Sequence, residues 1–284
     1  MTDNTNQDII EFINGIQMNK ERLKNVSYYV EHWDRYLKTI AFSQNFIKIN
    51  NLKVLEIGFS PLFMPLFVSK TGKKADALHW VSASAGSVFE EPKDYYEDVT
   101  INLGLDNELK LKHYYSINIE RKSLPLPDAA FDVVFLLDVI EHFLFNPAFA
   151  LYEIGRVMKD QGILIISTDN SFRLAKILQM LIYGSFPAYK YRKDPYSRHN
   201  CEFTKRQLEV LVKSLGFSIL DCRYVNLSMH KYKKDISHYI YEVINAITLL
   251  FPRFGRHIFL CASKNQPIKM NYTDVLFKEI DEYL

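Results

Sequence analysis

Apolar residues switch between helical and strand spacing along most of the chain, and the alternation predicts an α/β fold. From residue 7 to about residue 50 they recur at helical spacing, first Ile9, Phe12, Ile13 and Ile16, then Trp33, Leu37, Ile40, Phe46 and Ile47. These read as N-terminal helices packed on a later sheet. The run KVLEIGF at residues 53–59, the Ser60-Pro61 pair and an apolar segment to Val68 give a strand, a tight turn and a helix whose first turn suits Pro61. Further strands are expected at 77–83 and near 111–119, separated by an acidic, turn-rich stretch at 90–110. FDVVFLLD at 131–138 is apolar without interruption, the pattern of a central strand buried on both faces. A helix at 148–158, a turn at Asp160-Gln161-Gly162 and a fifth strand at 162–168 follow. Strand and helix in alternation argue for a parallel sheet with right-handed crossovers.

Beyond Asn170 the pattern gives an amphipathic helix to about Gly184 and a loop, FPAYKYRKDPYSRHN, rich in Tyr, Lys and Arg. A helix then starts at Thr204 and ends near Gly216, and a sixth strand, a helix at 236–250 and a last strand at 257–263 complete the series. The expected organisation is a helical extension over 1–50, one sheet domain over 51–264 with a cap insertion at about 170–203, and a peripheral tail over 265–284. A length of 284 residues suits one such core.

Composition narrows the function classes. Hydrophobic residues at 48% supply enough apolar material for both faces of a sheet, and a net charge of +2 lacks the footprint of a non-specific nucleic-acid binder. Cys201, Cys222 and Cys261 form no C-x-x-C pair, so neither a disulfide framework nor a zinc ribbon is expected, and no metal site is read. The polar, acidic start MTDNTNQDIIEF differs from a secretion signal, and the apolar stretches at 174–183 and 236–252 fall short of a spanning helix. A soluble, cytoplasmic protein is the expectation, with peripheral membrane contact and oligomeric state left open.

In an open parallel sheet the ligand lies outside the carboxyl ends of the strands, where strand order reverses. On the first strand those residues are Glu56, Gly58 and Ser60, and glycine there lets a ligand approach the backbone. Three segments then carry a resemblance: VLEIGFSP, LPLPDAAFDVVFLLDVIEHF and LYEIGRVMKDQGILIISTDN, in this order and separation over residues 53–170. Together they resemble class I S-adenosylmethionine-dependent methyltransferases of the type 11-like group. The resemblance implies a doubly wound, seven-stranded, mostly parallel sheet with an antiparallel last strand. It also implies S-adenosyl-L-methionine as cofactor, Glu56 and Gly58 lining its site, and Asp138 and Val139 ending the fourth strand beneath the methionyl part.

Two positions depart from that family. Ser82 stands at the end of the second strand where an acidic residue normally holds the ribose, and a serine cannot make the bidentate contact of a carboxylate. Ser60-Pro61 stands where a further glycine is common. Asn118 replaces an aspartate that often binds the adenine amino group, and an amide oxygen can accept that bond. A dinucleotide dehydrogenase is disfavoured because G-x-G-x-x-G and the second-strand acid are absent. Ser60 and Ser82 motivate the alternative of a non-catalytic binding or scaffold protein that keeps the fold.

Methyl transfer is a direct displacement, so the protein mainly aligns an acceptor behind the methyl group. A hydroxyl acceptor calls for a base, and His142, Asp169 and His199 are the candidates. YSRHNCEFT resembles a segment of methyltransferases in bacterial glycan and small-metabolite pathways, which makes a sugar or other small molecule the expected acceptor. Tyr196, Arg198 and Asn170 are the expected substrate contacts, and Tyr189, Lys190, Tyr191, Arg192 and Lys193 form an adjoining basic patch. The helices at 173–183 and 236–251 have apolar faces for which packing on the core is the simplest account, a cover over the acceptor or contact with a lipid-linked substrate being the alternatives.

Overall fold

The computed structural model describes residues 6–74, 78–83, 96–103, 108–114, 117–184, 196, 198–227 and 236–270. In chain order the elements are α1 (Asn6–Gly15), β1 (Gln17–Met18), β2 (Glu21–Arg22), α2 (Val26–Gln44), β3 (Leu52–Ile57), α3 (Phe63–Thr71), β4 (Leu78–Ala83), β5 (Tyr96–Asn102) and β6 (Glu108–Tyr114). They continue with β7 (Phe131–Leu137), α4 (Ala148–Val157), β8 (Met158–Asp169), α5 (Leu174–Tyr183), α6 (Lys205–Ser214), β9 (Ser218–Val225), α7 (Ile236–Leu250) and β10 (His257–Ser263).

All the strands form one sheet in the order β2-β1-β5-β6-β4-β3-β7-β8-β10-β9. The sheet is thus ten-stranded among the described residues, not seven-stranded. β6, β4, β3, β7 and β8 run parallel, and β10 lies antiparallel between β8 and β9. The extra strands extend one edge. Residues 96–102, inside the stretch expected to be turn-rich, form β5 antiparallel to β6, and the N-terminal segment adds the β1–β2 hairpin beside it. β5 eluded the pattern because only Val99 and Ile101 are buried, while its start carries exposed Glu97 and Asp98. The third parallel strand lies at 108–114, earlier than expected, with strict alternation of buried Leu109, Leu111 and His113. The Asp160-Gln161-Gly162 turn sits inside β8, where the register jumps from Phe131↔Met158 to Val133↔Ile163.

Alternation within the central strands sends side chains to two cores. Val54, Val133, Phe135 and Phe259 face α1, α2 and α3, with Phe135 edge-on to Phe63 at 5.0 Å. Leu55, Val134, Leu136 and Leu260 face α4 and α6. Thr204 and Gln207 close a capping box at the start of α6. Part of the tail expected to be peripheral is docked: Ile268 lies against Gly155 of α4, and the Lys269 N–H donates to the Leu215 carbonyl at 2.9 Å. Residues 271–284 lie outside the described residues, as does most of the expected cap, 185–195 and 197. No described helix is long and apolar enough to cross a membrane. From β3 the chain proceeds outward to β4 and β6, then returns to β7 on the other side of β3 and continues to β8. Strand order therefore reverses between β3 and β7, and the crevice lies at their carboxyl ends.

Candidate functional site

Gly58 follows β3 with φ +81°, a backbone that L side chains rarely adopt, and a Cβ there would meet Val139 Cγ2 at 2.1 Å. The turn it makes brings the Ser60 N–H onto Glu56 Oε1 at 3.1 Å, and Glu56 is fully buried. Ser60 Oγ shares a hydrogen bond of 3.0 Å with the Tyr36 hydroxyl of α2. Above this turn opens a cavity of about 400 Å³. Glu56, Gly58, Ser60, Asp138, His142 and Tyr196 all line it, so one space collects six residues that were picked out along 140 positions of chain. Arg35 and Tyr36 of α2 complete the wall nearest β7.

Asp138 ends β7 in a left-handed conformation, φ 52°, which turns its carboxylate inward. It pairs with Arg35, accepts the Ser167 hydroxyl at 2.6 Å and lies 3.3 Å from His257 Nε2. Burial pushes this carboxyl up, yet Arg35 and His257 outweigh burial and hold it well below the usual carboxylate range. The same His257 nitrogen lies 3.3 Å from Asp169, whose other oxygen is 3.3 Å from His199 Nδ1. His199 Nδ1 also faces Glu202 at 3.3 Å, and Glu202 accepts from Arg173 at 2.6 Å and Lys176 at 2.7 Å. Hydrogen bonds to Asp169 and then Glu202 raise His199 to about 10, so it is a cation at neutral pH. Asp169 is held below its ordinary value against burial, by His257, His199 and Arg173. Ligand atoms of Asp169, His199 and Glu202 lie close enough to hold a metal ion. Arg173, Lys176 and the protonated imidazole already neutralise these carboxylates, so the arrangement is an ion-pair network.

The turn after Asp138 supplies Glu141 and His142. Glu141 is buried, accepts the Thr168 hydroxyl at 2.9 Å, and is raised well above the usual range by burial and by the charges of Asp138 and Asp169. His142 is lowered by burial and then by the His199 charge, and the two rings meet edge to face at 4.8 Å. Its Nδ1 is 3.0 Å from the Arg198 carbonyl, which makes Nδ1 the protonated nitrogen of the neutral ring. The Asn200 amide donates to the His142 carbonyl at 2.8 Å, and the Asn200 and Cys201 N–H groups donate to the Glu141 carbonyl at 2.7 Å and 3.1 Å. Residues 198–201 are thereby fastened to the turn that carries His142.

Asn118 is buried, donates to the Tyr196 hydroxyl at 2.8 Å and accepts the Glu120 N–H at 3.2 Å. Burial and a hydrogen bond to Glu120 push Tyr196 up to about 12. Arg198 donates to Asn200 at 2.8 Å. Asn170 sits away from the cavity wall, fully buried, with its amide donating to the Arg253 and Gly255 carbonyls at 2.9 Å and 2.8 Å. Ser82 pairs with Glu56 in the β3–β4 register. The side chain of Ser82 and all of Tyr189, Lys190, Tyr191, Arg192 and Lys193 lie outside the described residues. Sequence reading passed over Arg35, Tyr36, Glu202 and His257. A buried-face arginine in α2 was the one available signal, since the apolar stripe of that helix runs through it.

Comparison with known proteins follows the same direction as the geometry. A family model described as a methyltransferase domain matches residues 50–221, more than half of the chain. Comparison with curated protein sequences finds no match. Among solved structures, the complex of a Haloferax volcanii methyltransferase activator with a methyltransferase contains a similar chain, with 12% identity, TM-score 0.52, and coverage of 84% of this chain and 92% of that one. An S-adenosylmethionine-dependent methyltransferase of Archaeoglobus fulgidus is 18% identical, with TM-score 0.48 and coverage of 84% and 99%. At such identities the structural likeness speaks to fold, and the family match carries the assignment: the chain belongs to the methyltransferase-domain family.

Proposed function

We propose that the chain methylates a hydroxyl group of a sugar or other small metabolite, with the acceptor entering the cavity beside His142 and Tyr196. One observation carries the reading: a cavity at the reversal point of the sheet is lined together by Glu56, Gly58, Asp138, His142 and Tyr196. The residues fit the cofactor. Gly58 makes the left-handed turn at the cavity wall, and Glu56, Ser60 and Arg35 line that wall with polar groups for an amino acid moiety. In this reading Ser82 of β4 and Asn118, four residues beyond the end of β6, take the adenosine part. S-adenosylmethionine bound there supplies an electrophilic methyl group.

His142 is the base in this reading. It is neutral at neutral pH, and with the hydrogen on Nδ1 its basic nitrogen is Nε2, which takes the acceptor's hydroxyl proton as the oxygen attacks. His199 and Asp169, the other candidates, are a cation and an anion already engaged with each other, so they position groups and do not remove the proton. Tyr196, too weak an acid to ionise at neutral pH, orients the acceptor through its hydroxyl. Calorimetric titration with S-adenosylmethionine and S-adenosylhomocysteine, with Gly58→Arg as control, comes first. Micromolar binding lost in a control that circular dichroism shows to be folded supports the cavity, and no binding to the folded wild-type protein at millimolar cofactor removes the reading. Within an acceptor screen, His142→Gln is expected to lower kcat by roughly a hundredfold or more, the usual worth of a positioned base, with cofactor affinity unchanged.

A further inference from the structure

The cavity at the strand ends is far more aromatic than the chain around it. Phe and Tyr supply six of its fifteen lining residues, Tyr28, Tyr29, Tyr36, Phe59, Phe143 and Tyr196, whereas aromatic residues make up 14% of the whole chain. Its charged and small polar side chains are engaged with one another: Arg35 pairs with Asp138, Glu56 accepts the Ser60 N–H, and the Ser60 hydroxyl bonds that of Tyr36. These are the groups assigned above to the amino acid part of the cofactor. The wall that remains for an acceptor is made of rings and apolar surface. Tyr28 and Tyr29 stand in the first turn of α2 with their rings edge to face at 5.6 Å, and Tyr28 also packs on His32 at 4.3 Å. Pro61, Val139 and Phe143 line the same cavity as His142.

This wall discriminates between kinds of hydroxyl. A sugar carries several hydroxyls, and each must find a partner when it leaves water or the complex is penalised. An aromatic ring asks only for offset or edge-on packing against other rings. The base points the same way. Burial and then the His199 charge hold His142 below its ordinary 6.5, so it is a weak base. A phenol ionises near pH 10 and an alkyl hydroxyl near the value of water, about 15.7, so the phenolic proton is roughly five orders of magnitude easier to remove. Proton transfer gains as donor and base approach each other in strength. Resting on the methyl-transfer reading above, and narrowing its acceptor, we propose that the substrate is a phenol whose ring seats against Tyr28, Tyr29 and Phe143 with its hydroxyl at His142. The phenolic oxygen forms its bond to the methyl carbon as the carbon–sulfur bond breaks, and its proton passes to His142 Nε2. An aryl methyl ether and S-adenosylhomocysteine are the products.

The test is calorimetric titration of the full chain, saturated with S-adenosylhomocysteine, against catechol, 2-naphthol and methyl glucoside. At least one of the two phenols is expected to bind saturably with Kd below about 1 mM, and methyl glucoside is expected not to. Tyr28→Leu and Tyr29→Leu are each expected to weaken phenol binding roughly tenfold, the worth of a ring contact, while Tyr29→Phe binds like the wild type because the ring carries the contact. Titration of each variant with S-adenosylhomocysteine and circular dichroism melting separate a lost ring contact from a damaged cofactor site or fold. Binding of S-adenosylhomocysteine without binding of either phenol overturns this proposal and leaves the methyl-transfer reading standing, whereas a folded chain that binds no S-adenosylhomocysteine removes both. Methyl glucoside bound more tightly than either phenol, or phenol binding retained in both leucine variants, also overturns it.

Discussion

Gly58→Ala isolates the demand that the first strand end makes on its backbone. The residue has φ +81°, and a left-handed backbone costs a non-glycine residue about 1–2 kcal/mol. The added methyl also lands 2.1 Å from Val139 Cγ2, and Val139 is buried, so relief requires movement of a packed side chain at about 1–3 kcal/mol. Together these predict a loss of about 2–5 kcal/mol, or a fall in Tm on the order of 10 °C for a chain of this size. The two contributions can be separated. Val139→Ala removes the colliding methyl, so the double variant is expected to recover the packing part and keep the backbone part. The coupling energy from the four-protein cycle is then about 1–3 kcal/mol in the favourable direction. Thermal denaturation measures the cycle, and titration with S-adenosylhomocysteine measures whether the turn still accepts a ligand. An alanine variant that melts with the wild type, or a cycle without coupling, refutes the account of this turn.

Three further outcomes are expected. His199 is raised from 6.5 to about 10, so its contribution to stability is complete below pH 6.5 and is lost as pH rises through about 10. The Tm advantage of wild type over His199→Gln therefore shrinks between those values in a pH series; because the side chain is 37% exposed, solvent screening limits its size, and a constant advantage counts against the ion pair. Glu141 is raised above its ordinary value, so ionisation in the folded state carries a penalty that grows as pH climbs above 4.5. Glu141→Gln keeps an acceptor for Thr168 and is expected to match or exceed the wild-type Tm at pH 8, without gaining at pH 4; a lower Tm at pH 8 contradicts a neutral carboxyl. Thr204→Ala removes the hydroxyl that accepts the Gln207 N–H and is expected to cost about 1 kcal/mol in chemical denaturation, an unchanged midpoint showing that the cap is dispensable.

What could be read from the sequence divides along physical lines. Strands buried on both faces announce themselves as unbroken apolar runs, and β3, β7 and β10 lie within a residue or two of where those runs place them. β5 has one apolar face and a charged start, and β1 and β2 have two residues each, too few to show a period. Glu56, Gly58 and Asp138 were legible because a parallel sheet puts ligands at strand ends, and strand ends are local features. Arg35 and His257 meet Asp138 across separations of 103 and 119 residues, and no local pattern reports such a meeting. The apolar faces of α5 and α7 were visible, but pattern alone cannot say which way an apolar face points; in the structure much of it faces outward.

Polar contacts behind the cavity form a continuous chain, Arg35, Asp138, His257, Asp169, His199, Glu202 and Arg173, most of whose links are ion pairs. Stability is a poor reason for it. Buried ion pairs are often matched or exceeded by apolar packing of similar volume, while removing one partner costs about 3–5 kcal/mol because a charge is left alone. Their placement offers a better reason. The members come from α2, from the ends of β7 and β8, from the start of β10 and α5, and from the segment at 199–202. That segment also holds Asn200 and Cys201 to the turn after β7, and its neighbour Arg198 supplies the carbonyl that fixes the His142 hydrogen on Nδ1. The network thus ties the strand ends that border the cavity to the loop that sets the tautomer of His142. Removing a member of this chain is expected to loosen the same loop, so substitutions at His257 or Glu202, neither of which lines the cavity, are expected to act on His142 as substitutions at Arg198's neighbours do.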